Sequence, residues 1–283
     1  MASPSKAQLL DTIYTLLKKR YKPGSKADQI SVMEAVLYGI CHEGTTREQA
    51  NQALARFKDG FFDWNEVRVS SLSEIENALS GLPDPETRAQ RLRKFLRQLF
   101  IKTYGFSLDS LVKKPQKDAV KALQEYEAVS SDYVLATVIQ QGLGGHAIPI
   151  DSPLRRALTR LGLADAASDD ATLRGARARA VPKNRGTEFV NLMEELVHDV
   201  CVENEPECSR CELRKICPTG QQRLSTSKAS AASRTNAAVS KPRSTAPTVK
   251  TPSSPKSSKP KTAPEESSTP APKSARSKGP RPK

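Results

Sequence analysis

The last 63 residues of this 283-residue chain, 221–283, contain no Phe, Tyr or Trp. They carry 10 of the 20 prolines, and Ser, Thr, Ala and Lys fill most of the rest. Such a segment has too little apolar surface to offset the entropy of ordering, so disorder is expected there. The folded part is then about 1–220, large enough for a substantial core. Long apolar runs are also missing. Nothing approaches the ~18 residues that cross a bilayer, and the opening MASPSKAQLL has no apolar signal-peptide centre. Neither a membrane span nor export is expected; the expected compartment is the cytoplasm, with nucleoid association in a bacterial source. Histidine is scarce, with His42, His146 and His198 the only three. His42 and His198 fall in apolar helical stretches and read as structural. His146 lies in a loop, GLGGHAIP, where GLGG lacks both the lysine and the βαβ setting of a phosphate loop.

The positive charge is unevenly placed. The tail 221–283 holds 14 Lys and Arg against Glu265 and Glu266, a net +12. The preceding 220 residues hold 31 basic and 29 acidic side chains, a net +2 out of the total +14. A polycation on a flexible segment suits a polyanion, most often nucleic acid, although a solubilising linker has the same composition.

The body reads as all-α. Leu9, Leu10, Ile13, Leu16 and Leu17 recur at helical spacing after Ser5. ISVMEAVLYGICH is an apolar helix, followed by the turn EGTT and the amphipathic REQANQALARF. In ETRAQRLRKFLRQLF, Leu92, Phe95, Leu96, Leu99 and Phe100 form one face, with Arg88, Arg91, Lys94 and Arg97 off it. Further helical patterns cover about 117–128, 132–142, 153–162 and 185–202. WNEVRV alone has the composition of a strand.

Cysteine is absent from almost the whole chain and concentrated at one place. Four of the five cysteines stand in CVENEPECSRCELRKIC: Cys201, Cys208, Cys211 and Cys217. Cys41 is alone on an apolar helix and reads as core. In a reducing compartment four clustered thiols point to metal ligation rather than disulfides. Four thiolates satisfy a tetrahedral zinc or a four-iron cluster. Zinc sites more often come as two close pairs, and here only Cys208 and Cys211 make one.

The C-x6-C-x2-C-x5-C spacing resembles the iron–sulfur loop of the endonuclease III and adenine-glycosylase branch of the helix-hairpin-helix (HhH-GPD) DNA glycosylases. A second stretch, HAIPIDSPLRRALTRLGL, fits the family's aspartate motif, with Asp151 in the aspartate position and Arg156 and Arg160 where relatives carry arginines. The resemblance covers about 28–217. It implies a two-lobed all-α fold. Residues 29–149 would form a six-helix barrel with a degenerate hairpin, 1–28 and 150–200 a second lobe, and 201–217 a loop around a [4Fe–4S] cluster.

It also implies a function: a monomer that binds double-stranded DNA and hydrolyses the N-glycosidic bond of a damaged or mispaired base. Asp151 would be catalytic, stabilising positive charge on the sugar or deprotonating water. Its other reading is a helix cap before Ser152 and Pro153, and one residue can do both. Arg156, Arg160, Ser130 and Ser131 would contact DNA, and Cys201, Cys208, Cys211 and Cys217 would hold the cluster.

Several positions depart from the family pattern. The hairpin L-P-G-V-G-x-K-T-A is replaced by AVSSDYVLA, with Ser130 and Asp132 for the glycines. Val134, or Tyr133 with a one-residue shift, takes the place of the lysine that forms a Schiff base in bifunctional members. Cys41 or Gly44 stands where relatives carry a glutamine wedge. Glu34 is comparable to a glutamate of the adenine-glycosylase branch, and also reads as a solvated helix residue. Glu203, Glu205 and Glu207 make acidic a loop that is basic in relatives. These departures imply hydrolysis without lyase activity, or alternatively a non-catalytic iron–sulfur DNA-binding protein on the same scaffold.

Overall fold

Serine, threonine and aspartate start most of the helices. In the computed structural model, Ser5, Ser31, Thr46 and Ser71 each close a capping box, with Gln8, Glu34, Gln49 and Glu74 reaching back from the third helical position. They open α1 (Lys6–Arg20), α2 (Val32–His42), α3 (Arg47–Gly60) and α5 (Leu72–Ala78). Asp63 caps α4 (Trp64–Val69), and α6 (Pro85–Thr103) begins with a proline, whose missing N–H is no loss at a first turn. Then come α7 (Gln116–Leu123), α8 (Asp132–Thr137), which widens into a π turn at Val138–Gly142, α9 (Ser152–Arg160) and α10 (Gly186–Asp199).

The structure describes residues 5–22, 29–164 and 181–226, all within one compact unit. No strand occurs among them, so the all-α expectation holds there. WNEVRV is helical instead. Asp63 accepts from the Glu66 N–H, and Val67 is buried in the first core, so capping and packing override its strand-like composition. The expected disordered tail lies outside the described residues from 227 on. Its first six residues, 221–226, are helical, continuing a helix begun at 218.

Two hydrophobic cores organise the chain. The first spans Val32 to Val138 and centres on α2, all but one of whose residues are buried. A helix apolar on every side must be surrounded, and α3, α6, α8 and the π turn surround it. Close approach is part of this packing. A side chain on Gly142 would stand 3.1 Å from the Cα of Val32, so any larger residue would press on the α2 backbone where the π turn meets it. Cys41 is completely buried in this core.

The second core joins the two ends of the described chain. Leu10, Ile13 and Leu17 of α1 pack with Leu154 and Leu158 of α9, and with Phe189, Met193 and Leu196 of α10. Leu213 of the cysteine loop completes it. At the ends of α1 and α10, the Asp199 carboxylate accepts from Arg20 at 2.7 Å and from the Tyr21 hydroxyl at 2.8 Å. The chain passes from the first core to the second between Leu143 and Ile148. Asp151 follows at once, at the junction.

Candidate active site

Asp151 caps α9: its Oδ1 accepts from the Leu154 N–H at 2.9 Å. The other oxygen reaches across the junction. Oδ2 accepts from the Gly44 N–H at 3.2 Å, in the turn after α2. Gly44 adopts φ +73°, which favours glycine, although a side chain there would meet nothing within 4 Å. The conformation, not the space, accounts for glycine in HEGTT.

Asp151 lines a cleft of about 510 Å³. Glu43 and Gly44 form one wall, Arg88 and Arg91 of α6 another, and Ser131 to Tyr133, at the start of α8, a third. Arg88 departs from the sequence reading, which placed it off the apolar face. It is 8% exposed, and its guanidinium donates to the carbonyls of Ile40, Cys41 and Glu43 while Nε donates to Pro83. The helix end that would otherwise present unpaired carbonyls is thereby closed.

Behind the cleft lies a buried polar group that joins the two cores. Tyr133 Oη is 2.9 Å from His42 Nδ1. His42 Nε2 stands 3.7 Å from Glu194 of α10, and the same Glu194 carboxylate accepts from Arg47 of α3 at 2.7 Å. Burial, and then the charge of Arg47, holds His42 down to about 4, so it is neutral at pH 7. Burial pushes Glu194 up, opposed by the charge and hydrogen bond of Arg47. Asp151 is also raised by burial, opposed by the Leu154 N–H; the charge of Glu194 adds to the rise and the Gly44 N–H opposes it. Asp151 is thus a desolvated carboxylate with both oxygens fixed by backbone donors.

The sequence-based candidates separate into groups. Of the two hairpin serines, Ser131 lines the cleft and Ser130 is exposed on the turn before α8. Val134 is fully buried in the first core, and Tyr133 is the neighbour that lines the cleft. Cys41, buried in the core, is not available as a wedge. Glu34 closes the capping box of α2. Arg156 and Arg160 are turned toward the cysteine loop: Arg160 donates to the carbonyls of Cys201, Val202 and Glu203 at 3.2, 2.7 and 2.8 Å, and Arg156 to Cys201 at 3.4 Å. Glu43, Arg47 and Glu194 were not singled out from the sequence. The one local sign was a glutamate directly after a mostly apolar helix.

The four loop cysteines are half-buried and line one small cavity, together with Arg160, Val200 and Pro206. The thiols sense one another: burial pushes Cys211 up to about 11, and the other three thiols add to the rise. Arg160 Nη1 lies 3.5 Å from Cys201 Sγ, and the Gly220 N–H donates to Cys217 Sγ at 3.4 Å. Among the described residues no three His, Cys, Asp or Glu side chains are gathered around a single ion-sized point. The donor set is all thiol, in an apolar wall with N–H groups aimed at sulfur, and that chemistry fits an iron–sulfur centre.

This architecture has solved counterparts. The chain aligns with endonuclease III in a trapped covalent intermediate with DNA at a TM-score of 0.63 and 17% identity, covering 78% of this chain and 100% of that one. A thermostable thymine-DNA glycosylase gives 0.57 and 18%, covering 77% and 97%. An H. pylori 3-methyladenine DNA glycosylase bound to 1,N6-ethenoadenine gives 0.55 and 12%, covering 71% and 100%. No protein-family model and no curated protein matches the sequence. At 12–18% identity, what the chain shares with these structures is their fold.

Proposed function

We propose that the protein is a DNA glycosylase of base excision repair, hydrolysing the N-glycosidic bond of a damaged or mispaired base in double-stranded DNA. The observation that carries this reading is Asp151, a desolvated carboxylate held by two backbone N–H groups in the wall of the cleft between the cores. The base leaves the helical stack and enters the cleft. As the C1′–N bond breaks, its electron pair departs with the base and positive charge grows on the sugar. The Asp151 carboxylate stabilises that charge and takes a proton from the water whose oxygen bonds to C1′. The departing base takes its proton from solvent.

No lysine is among the described residues that line the cleft, and Tyr133 faces it from the start of α8. A lyase needs an amine to form an imine with the opened sugar. The reaction therefore ends at an intact abasic site. Cys201, Cys208, Cys211 and Cys217 hold a [4Fe–4S] cluster, which supplies structure rather than chemistry to the base. Arg156 and Arg160 tie the Asp151 helix to that loop.

Purified protein assayed over a panel of damaged and mismatched duplexes should release one base class and give no strand cleavage. Borohydride should trap no covalent adduct. Efficient trapping would overturn the monofunctional reading, and a panel with no base release would favour the non-catalytic alternative. With +12 on residues 221–283 and +2 on the rest, deletion of the tail should flatten the dependence of DNA affinity on salt, each phosphate contact carrying a log–log slope of about −0.9. Equal slopes with and without the tail would make it a linker.

A further inference from the structure

Glu43, the residue after α2, has a carboxylate held by side chains from two other elements. The Ser131 hydroxyl donates to Oε1 at 2.5 Å, and Arg91 Nη1 donates to Oε2 at 2.9 Å. Ser131 precedes α8 and Arg91 lies on α6. The rest of Arg91 is tied to the hairpin side, where Nη2 donates to the Ala128 carbonyl at 3.3 Å. A hydroxyl and a guanidinium converging on two oxygens of one anion is the donor set that recognises a phosphate oxygen pair. Here a carboxylate of the same chain fills it.

The group is open to a ligand. All three residues line the cleft, and the side chains of Arg91 and Glu43 are 28% and 30% exposed. The Glu43 backbone is fixed separately, its carbonyl accepting from Arg88 at 2.6 Å. The carboxylate can therefore rotate away with the turn in place, and the next residue, Gly44, keeps its hydrogen bond to Asp151.

We propose that Ser131 and Arg91 form a binding site for a DNA phosphodiester beside the cleft, and that Glu43 is an internal anion that occupies it until DNA displaces it. The proposal rests on the DNA-processing reading above. A carboxylate on its own tether competes at a high effective concentration. Free phosphate therefore fails to displace it, whereas a phosphate delivered by a duplex held at other contacts succeeds. Glu43 thus lowers affinity for DNA that is not correctly seated.

The test uses the full-length protein, Glu43→Ala, and the double variant Glu43→Ala/Arg91→Gln, none of it depending on base release. Inorganic phosphate, compared with sodium chloride at equal ionic strength, should raise the unfolding temperature of Glu43→Ala in a saturable way. It should do so neither for the wild type nor for the double variant. On an undamaged short duplex, Glu43→Ala should bind several-fold more tightly, with a salt slope steeper by about 0.9, the value for one more neutralised phosphate. If the alanine variant does not fold, Glu43→Gln removes the charge while retaining an acceptor, and the same steepening is read. No phosphate-specific effect would overturn the anion site. A phosphate effect with unchanged duplex affinity and slope would overturn its assignment to DNA. An inactive enzyme that nonetheless shows both effects would count against the glycosylase reading and not against this site.

Discussion

Cys201, Cys208, Cys211 and Cys217 reach one cavity from 17 consecutive residues, whereas the cleft around Asp151 is assembled from residues between Glu43 and Arg155. The thiol site needs only a loop that folds back on itself, anchored by Leu213 in the second core and braced by Arg160. The cleft needs both cores. The Asp151 carboxylate stands on α9 of one, and the N–H that holds Oδ2 belongs to the turn after α2 of the other. A local site can fail without the first core, but the cleft fails if either core shifts. The predictions below separate the two.

The largest effect is expected at the loop. The proposed cluster predicts about four iron atoms per chain and visible colour in the purified wild type; a colourless wild type without iron would contradict the proposal. Both should be lost in Cys208→Ser. Amide hydrogen exchange should then rise over 201–217 and into α10, while α2 and α6 keep their protection. Equal loss of protection in α2 would show that the loop and the first core are one cooperative unit.

An intermediate effect is expected from the buried group that joins the cores. Folded His42 is held down to about 4, while an unfolded histidine titrates near ~6.5. As pH falls the unfolded chain takes up that proton first, so stability is lost between about 6.5 and 4, on the order of 3 kcal/mol. Asp151 and Glu194 act in the opposite sense. Their raised values mean that the folded state binds protons first as pH falls toward ~4, which restores part of the loss. Urea unfolding from pH 7 to 4.5 should show a steeper acid loss in the wild type than in His42→Gln. Parallel curves would exclude His42 as the source.

The smallest effect belongs to a helix start. Ser31 caps α2 and shares its box with Glu34. Ser31→Ala should cost about 1 kcal/mol, measured by denaturant unfolding, and leave the iron content unchanged. Loss of iron in that variant would contradict the separation drawn here.

The same contrast explains what the sequence revealed. Thiol spacing is local, so the loop was legible, and so was Asp151, because a cap before Ser-Pro is a local pattern. Most of the helices were legible for the same reason; the capping boxes at their starts were not read from the sequence. WNEVRV was misread because its strand-like composition says nothing of Asp63 capping it or of Val67 packing in the first core. Arg88 was placed off the apolar face because helical periodicity does not show the α2 carbonyls to which it donates. His42 was read as structural, and only the packing of α10 against the first core reveals Glu194 beside it. Arg156 and Arg160 occupy the expected positions, but their partners, the carbonyls of 201–203, follow from how the loop folds.

The central claim is that Asp151 is a catalytic carboxylate and not merely the cap of α9. Single-turnover base release by the wild type and by Asp151→Asn, on the duplex that the panel identifies, tests it directly. The asparagine oxygen can still accept from Leu154, so the fold and iron content should be retained. The rate of base release should fall by roughly 10²- to 10⁴-fold. In the wild type, activity should decline as pH falls through the raised value of Asp151. An Asp151→Asn variant that folds, keeps its iron and releases base at the wild-type rate would contradict the account.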